Sequence, residues 1–271
     1  MQETFYTIPG CPVRIAQVSD LHERPYDAVL ASLEKQRPDL ICVTGDFFYG
    51  CLPKAGTKAE DAGVLPFFSA CAALAPCYVS LGNHEWMIQP EDFSLINGTG
   101  AKILDNTFVS CNIAGAKLVI GGLTSGRVTA CTRLQRASFR LLDANRYTRK
   151  AKSVPLLSWL DAYCASPGYR ILLCHHPEYY PRYLKGHDIP LILSGHAHGG
   201  QIRIFGQGLF APDQGIFPRL TGGVKDGRLV ISRGLANRQW VPRLFNPAEI
   251  VYVSGGQPES QAKNDKQQFF A

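Results

Sequence analysis

Five short apolar runs in this chain all end on small, polar or metal-capable residues, and that punctuation constrains the fold more than any other feature. Residues 13–18 (VRIAQV) lead into Ser19-Asp20-Leu21-His22, and residues 40–43 (LICV) lead into Thr44-Gly45-Asp46. Residues 77–81 (CYVSL) lead into Gly82-Asn83-His84-Glu85, residues 171–174 (ILLC) into His175-His176-Pro177, and residues 191–193 (LIL) into Ser194-Gly195-His196-Ala197-His198. Each run reads as a buried strand. Helical patterns lie between the first three, over residues 26–36 and 59–75, and another over 156–165 precedes the fourth. Strand–helix alternation predicts an α/β fold. In such sheets ligands gather outside the carboxyl ends of the strands, so the five ends should meet at one place.

The rest of the chain has a different texture. Residues 101–104, 107–111 and 117–120 look like strands. From residue 201 on, short strand-like stretches at 201–205, 224, 229–232 and 250–253 alternate with Gly, Pro and Asp turns, which suggests a meander. Residues 1–254 hold no linker or repeat and are expected to form one domain. Residues 255–271 are polar apart from Phe269-Phe270 and are expected to be disordered.

Composition closes off several classes. With 45% hydrophobic and 18% charged residues among 271, the chain is ordinary globular material. No apolar run approaches the roughly 20 residues of a membrane helix. The opening MQETFYTIPG lacks the basic and apolar regions of a signal peptide, so a cytoplasmic location is expected. The nine cysteines include no CxxC pair, and Cys42 and Cys174 sit inside strand-like runs, which fits buried thiols better than a disulfide framework.

The charge is uneven. Of a net +6, residues 126–152 hold eight Lys/Arg against the one acid Asp143. Arg133, Arg136 and Arg140 share one helical face opposite Leu134, Ala137 and Leu141, as on a solvated helix. With Arg127 they are also candidate contacts for an anionic substrate, a lipid head group or a membrane surface. Only Phe139 and Tyr147 lie among these basic residues, which argues against a nucleic-acid track.

Six of the seven histidines stand at the strand ends: His22, His84, His175, His176, His196 and His198, with His187 elsewhere. Asp20, Asp46 and Asn83 join them. A lone histidine at a strand end is most often a satisfied polar residue; five linked ends with carboxylates point to metal. Carboxylates, an amide oxygen and imidazoles suit Mn, Fe(II) or Zn, and the lack of cysteine argues against a structural zinc knot. The groups exceed what one tetrahedral ion needs, but two ions about 3.5–4 Å apart sharing a carboxylate would use them all. Side chains i and i+2 on an extended segment point the same way, so Asp20 and His22 can grip one ion. His196 and His198 could do the same, or reach two ions if the chain turns between them.

The blocks DLH, GD, GNHE, HHP and GHAH, in this order from Asp20 to His198, resemble the signature of the calcineurin-like metallophosphoesterases. The continuation HGGQ and the later SRGLANRQWVPRLFNPAEI are similar to the bacterial YkuE-like branch and to some UDP-2,3-diacylglucosamine pyrophosphatases. The resemblance implies a four-layer αββα sandwich of two mixed β-sheets flanked by helices, with a dimetal site at the carboxyl ends of the strands. It assigns Asp20, His22 and His198 to one ion, Asn83, His175 and His196 to the other, and Asp46 to a bridge. His84 would contact the phosphoryl oxygen or protonate the leaving group, and in HHP the ligand would be His175, not His176. The activity implied is hydrolysis of a phosphodiester, pyrophosphate or phosphomonoester, with lipid or nucleotide-sugar substrates favoured. A nuclease of the same superfamily and a silent scaffold with this fold are the alternatives. Glu23-Arg24-Pro25-Tyr26 after DLH, and GHAH in place of GHTH, depart from common patterns without touching a ligand.

Overall fold

The computed structural model describes residues 1–50, 57–129, 154–236 and 242–256. All five apolar runs are strands: Ile15–Val18 (β2), Leu40–Thr44 (β3), Cys77–Ser80 (β4), Tyr169–Cys174 (β8) and Leu191–Ser194 (β9). Their lack of polar alternation has a direct cause, because both faces are buried. In β3, Leu40 and Cys42 point between two sheets while Ile41 and Val43 point at helices. In β8 and β9, Ile171, Leu173, Leu191 and Leu193 fill the same central core, and Leu172, Cys174 and Ile192 fill the outer one.

Two mixed six-stranded sheets result. The first has β2, β3, β4 and Lys102–Ile103 (β5) parallel, with the pair Gln2–Thr7 (β1) and Glu249–Ser254 (β16) completing one edge. The second has Ala116–Leu123 (β7), β8, β9 and Leu229–Ile231 (β15) parallel, edged by Thr107–Ile113 (β6) and Gly223–Lys225 (β14), both antiparallel. Helices Asp27–Gln36 (α1), Leu65–Leu74 (α3) and Pro90–Gly98 (α4) cover the first sheet, and Leu160–Ala165 covers the second. This is the four-layer α/β sandwich expected.

Three expectations need correction, and two elements, β1 and α4, were not anticipated. The section after residue 201 is a meander only in part: successive short strands pair as antiparallel hairpins, but β15 also joins β9 in one sheet, and β16 crosses to the other and pairs with β1, an unanticipated strand. The helix expected over 59–75 is two, Lys58–Asp61 and α3, because Gly63 turns left-handed (φ 64) and Pro66 opens the next helix. The helix expected from 156 starts only at Leu160. Helix α4 was not anticipated, although Pro90 begins it and Asp92 caps it, accepting from Gln89 N at 2.8 Å. Helix α1 stops where the sequence says it should: Arg37 turns left-handed (φ 47) ahead of Pro38. The tail from residue 257 lies outside the described residues. No helix among the described residues is long and apolar enough to cross a membrane.

Candidate metal centre

The parallel strands of both sheets deliver their carboxyl ends to one place. Asp20, His22, Asp46, His175, His196 and His198 are all buried there, and His84 is at the rim with 28% of its side chain exposed. Asp20, His22 and His198 bring one ligand atom each within 4.8 Å of one another, and so do Asp46, His175 and His196. The histidines of GHAH therefore separate, one to each group, because the chain turns sharply there: His196 (φ 66) and His198 (φ 46) are both left-handed. Asp20, His22 and Asp46 are left-handed too (φ 56, 50 and 55), a clustering of uncommon backbone that is typical of functional sites.

Asp46 lies between the groups. Its Oδ2 is 3.1 Å from His175 Nε2 and 3.9 Å from both His22 Nε2 and His84 Nε2, while Oδ1 accepts the His84 N–H at 2.8 Å. Gly82 makes this approach possible, since a Cβ there would come within 2.3 Å of Asp46 Oδ1.

The hydrogen bonds behind the rings set their tautomers. His22, His84, His175 and His198 place Nδ1 on the carbonyls of Phe48 (3.1 Å), Tyr49 (2.8 Å), Thr44 (2.7 Å) and Ala236 (3.1 Å). A carbonyl only accepts, so each Nδ1 carries the proton and each neutral ring turns an Nε2 lone pair to the centre. His196 is held the other way round, with Nε2 on Asp213 Oδ2 at 3.0 Å, which leaves Nδ1 for the centre. Asp20 Oδ1, His22 Nε2 and Asn83 Oδ1 are buried with no hydrogen-bond partner. Orphaned acceptors beside two buried carboxylates are what a cation would satisfy, and the mixture of oxygen and imidazole donors fits divalent ions.

Charge is unevenly distributed across the centre. Burial depresses His22 to about 3, helped by the neighbouring His84 and His198, and burial also lowers His198. Burial works against charge on His175 as well, but the Asp46 carboxylate overrides it and raises His175 to about 10. His196 is raised too: burial is outweighed by Glu178 and Asp213. Asp20 and Asp46 are held below the usual carboxylate range, since the histidines around them more than offset burial. His84 is lowered by burial, which favours its neutral ring.

His176 turns away from its neighbour. Its Nε2 meets Ser125 Oγ at 2.8 Å and its Nδ1 meets Glu178 Oε1 at 2.9 Å. Of the arginines considered for substrate, Arg127 stacks its guanidinium 5.5 Å from the Trp86 ring, and Arg133, Arg136 and Arg140 lie outside the described residues.

Several supporting residues escaped sequence reasoning. Glu85, fully buried, accepts N–H bonds from Asp46 (2.8 Å), Gly82 (2.7 Å) and Phe48 (3.0 Å), tying two strand-end loops together. Glu178 and Asp213 stand behind the histidines. Asn246, in the FNPAEI block, donates to the carbonyls of His198 (2.8 Å) and Gln201 (3.0 Å), and Gly199 (φ 64) lies so close that a Cβ would sit 2.2 Å from its Oδ1. Glu85 had a signal, its place in GNHE; Glu178 and Asp213 had none.

A buried His/Asp centre at the carboxyl ends of a two-sheet sandwich defines a class of metal-assisted hydrolases. The calcineurin-like phosphoesterase family model matches residues 13–200, and the chain belongs to that family. It is 29% identical over 252 residues to the Bacillus subtilis uncharacterized protein YpbG, covering 92% of this chain and 83% of that one. It is 26% identical over 268 residues to an uncharacterized metallophosphoesterase of Aquifex aeolicus, covering 93% and 88%. A 5'-nucleotidase precursor from Thermus thermophilus overlays with a TM-score of 0.47 at 14% identity, covering 95% of this chain and 58% of that one.

Proposed function

We propose that this phosphoesterase works with two divalent ions, Mn, Fe or Zn. Asp20, His22 and His198 hold one, Asn83, His175 and His196 hold the other, and Asp46 bridges them. The orphaned His22 Nε2, 4.0 Å from the orphaned Asp20 Oδ1 and 3.9 Å from Asp46 Oδ2, is the observation that carries this reading, and the buried, unpartnered Asn83 Oδ1 supports it. When bound, such ions polarise the phosphoryl oxygens and lower the pKa of water.

The chain's own groups do the rest. The carbonyls of Phe48, Thr44 and Ala236 lock three imidazoles in the ligating tautomer. Glu85 holds the backbone of Asp46 and Gly82 in register. His84, partly in solvent and anchored through Nδ1, presents Nε2 to an incoming phosphate. The ring can donate from Nε2 only as an imidazolium, and the negative charge of a bound phosphate favours that form. His84 is thus placed to hold a phosphoryl oxygen and give the leaving group its proton.

The substrate is a phosphate ester, with the phosphodiester or pyrophosphate of a lipid head group or nucleotide-sugar favoured. The basic segment containing Arg127, Arg133, Arg136 and Arg140 supports an anionic ligand. Hydrolysis of a chromogenic phosphodiester with added Mn tests the reading. Asp46→Asn should abolish turnover while the thermal transition stays in place; unchanged metal-dependent activity in that variant refutes it.

A further inference from the structure

The turns beside the centre carry a feature that hydrolysis does not use. An aliphatic residue followed by phenylalanine recurs at three of them: Ile204-Phe205, Ile216-Phe217 and Leu244-Phe245. Each phenylalanine is left-handed, with φ of 50, 52 and 54, a region that bulky side chains avoid. Each ring is also in solvent, with relative exposures of 106%, 68% and 85%. A largely exposed ring on an unfavourable backbone contributes little to folding.

The three turns share one surface. Phe205 is at the tip of the Arg203–Ile204 and Gln207–Gly208 hairpin, whose Arg203 N donates to Leu244 O at 3.0 Å. Phe205 and Phe245 line one cleft of about 400 Å³ with Arg203, Ile204 and Gly206. Gln207 Nε2 donates to Pro218 O at 2.8 Å, which joins the turn of Phe217 to the same group. Every ring has an arginine two residues away: Arg203, Arg219 and Arg243. The acid on these turns, Asp213, is engaged with His196.

We infer that these turns dock the protein on an anionic lipid bilayer, with Phe205, Phe217 and Phe245 entering the head-group boundary, the exposed Arg219 meeting lipid phosphate, and Arg203 and Arg243, whose guanidinium groups hold backbone carbonyls, adding positive charge beneath the tips. Apolar tips backed by cations are the chemistry that interfacial binding rewards. Rings on separate tips, rather than on one flat face, suit a bilayer, which yields to shape, better than a protein partner, which must match it. The same turns brace the centre: Asp213 holds His196, Arg203 Nη1 donates to Gly199 O at 2.8 Å, and Asn246 follows Phe245. A docked molecule would therefore hold the mouth of its site close to the head-group layer.

The test is co-sedimentation of the full chain with phosphatidylcholine vesicles, with and without phosphatidylglycerol, in the absence of any phosphoester substrate. It reads docking alone, so its outcome is separate from that of the phosphoesterase reading. The comparison is Phe205→Asn/Phe217→Asn/Phe245→Asn, because asparagine tolerates the left-handed backbone and should keep or raise the melting temperature. The wild type should bind the phosphatidylglycerol vesicles, more weakly at high salt, and the variant's partition should fall about tenfold or more. A wild type that stays in the supernatant with both vesicles overturns the inference, as does a variant that sediments equally well. A concentration-dependent dimer that the variant abolishes, with no vesicle binding, overturns it in favour of a second copy of the chain.

Discussion

Asp213 offers a way to loosen one of the two proposed ions and leave the other alone. Its carboxylate accepts from His196 Nε2 at 3.0 Å, and that bond lowers Asp213 from 3.8 to about 2, with burial opposing. A shift of about two units is at most about 2.5 kcal/mol. The carboxylate is 56% exposed, and solvent screening cuts this to about 1 kcal/mol. The expected cost of removing it is thus roughly fivefold to tenfold in affinity for the ion held by His196, at the lower end for carboxylates behind metal-binding histidines. Asp213 is left-handed (φ 58), so Asp213→Gly deletes the carboxylate without straining the turn, whereas alanine would confound the result. Asp213→Asn keeps an acceptor and should cost about threefold or less. Calorimetric titration of the metal-free protein with Mn should resolve two steps, and only one should weaken in Asp213→Gly. Equal weakening of both steps, or an Asn variant as damaged as the Gly variant, would refute the reasoning.

The two ions should also respond differently to pH. His175 is raised to about 10 and His196 is raised as well, so an ion binding there competes with protons, and its affinity should climb with pH by up to about tenfold per unit for each proton displaced. His22 is held down at about 3 and His198 is lowered as well, so the step assigned to Asp20, His22 and His198 should depend less on pH than the other; equal slopes for both steps in Mn titrations at three pH values would contradict this. His84→Asn should lower kcat by about 10²–10⁴ with two ions still bound, read from steady-state kinetics beside metal analysis. Glu85→Gln turns an amide NH₂ toward at least one of the three N–H donors that Glu85 accepts, so urea unfolding should show a loss of about 1–3 kcal/mol, and an unchanged midpoint would count against the clamp.

What could be read from the sequence follows the physics of burial. Strands packed on both faces must be apolar throughout, so β3, β8 and β9 announced themselves as unbroken runs. The polar residues that followed could only be at their ends. That is why Asp20, Asp46, His175, His196 and His198 were legible as a set, and why the structure gathers them. Some missed features carried local signals, such as Gly63 and Pro66 splitting a helix. The partnership of β1 with β16 did not, because it joins the two ends of the chain and no local pattern encodes a neighbour some 245 residues away.

The carboxylates behind the centre show the same divide more sharply. A ligand must stand where a strand hands it to the metal, so position in the sequence betrays it. Asp213 acts on a side chain that reaches it only after folding: it comes from a separate hairpin between Phe210–Ala211 and Gly215–Ile216, to hold His196, whereas Glu178 holds His176 two residues before it. Their chemistry is that of any surface acid until the turn places them. Asn246 is similar, since its amide serves the backbone of His198 and Gln201 across some 45 residues of chain. The block FNPAEI thus has a structural reason: Asn246 closes the left-handed turn that runs from His198 to Gln201, directly behind the last histidine. The left-handed backbone at His196 and His198 sends the two imidazoles to different groups, and Asn246 holds the turn that follows through the carbonyls of His198 and Gln201.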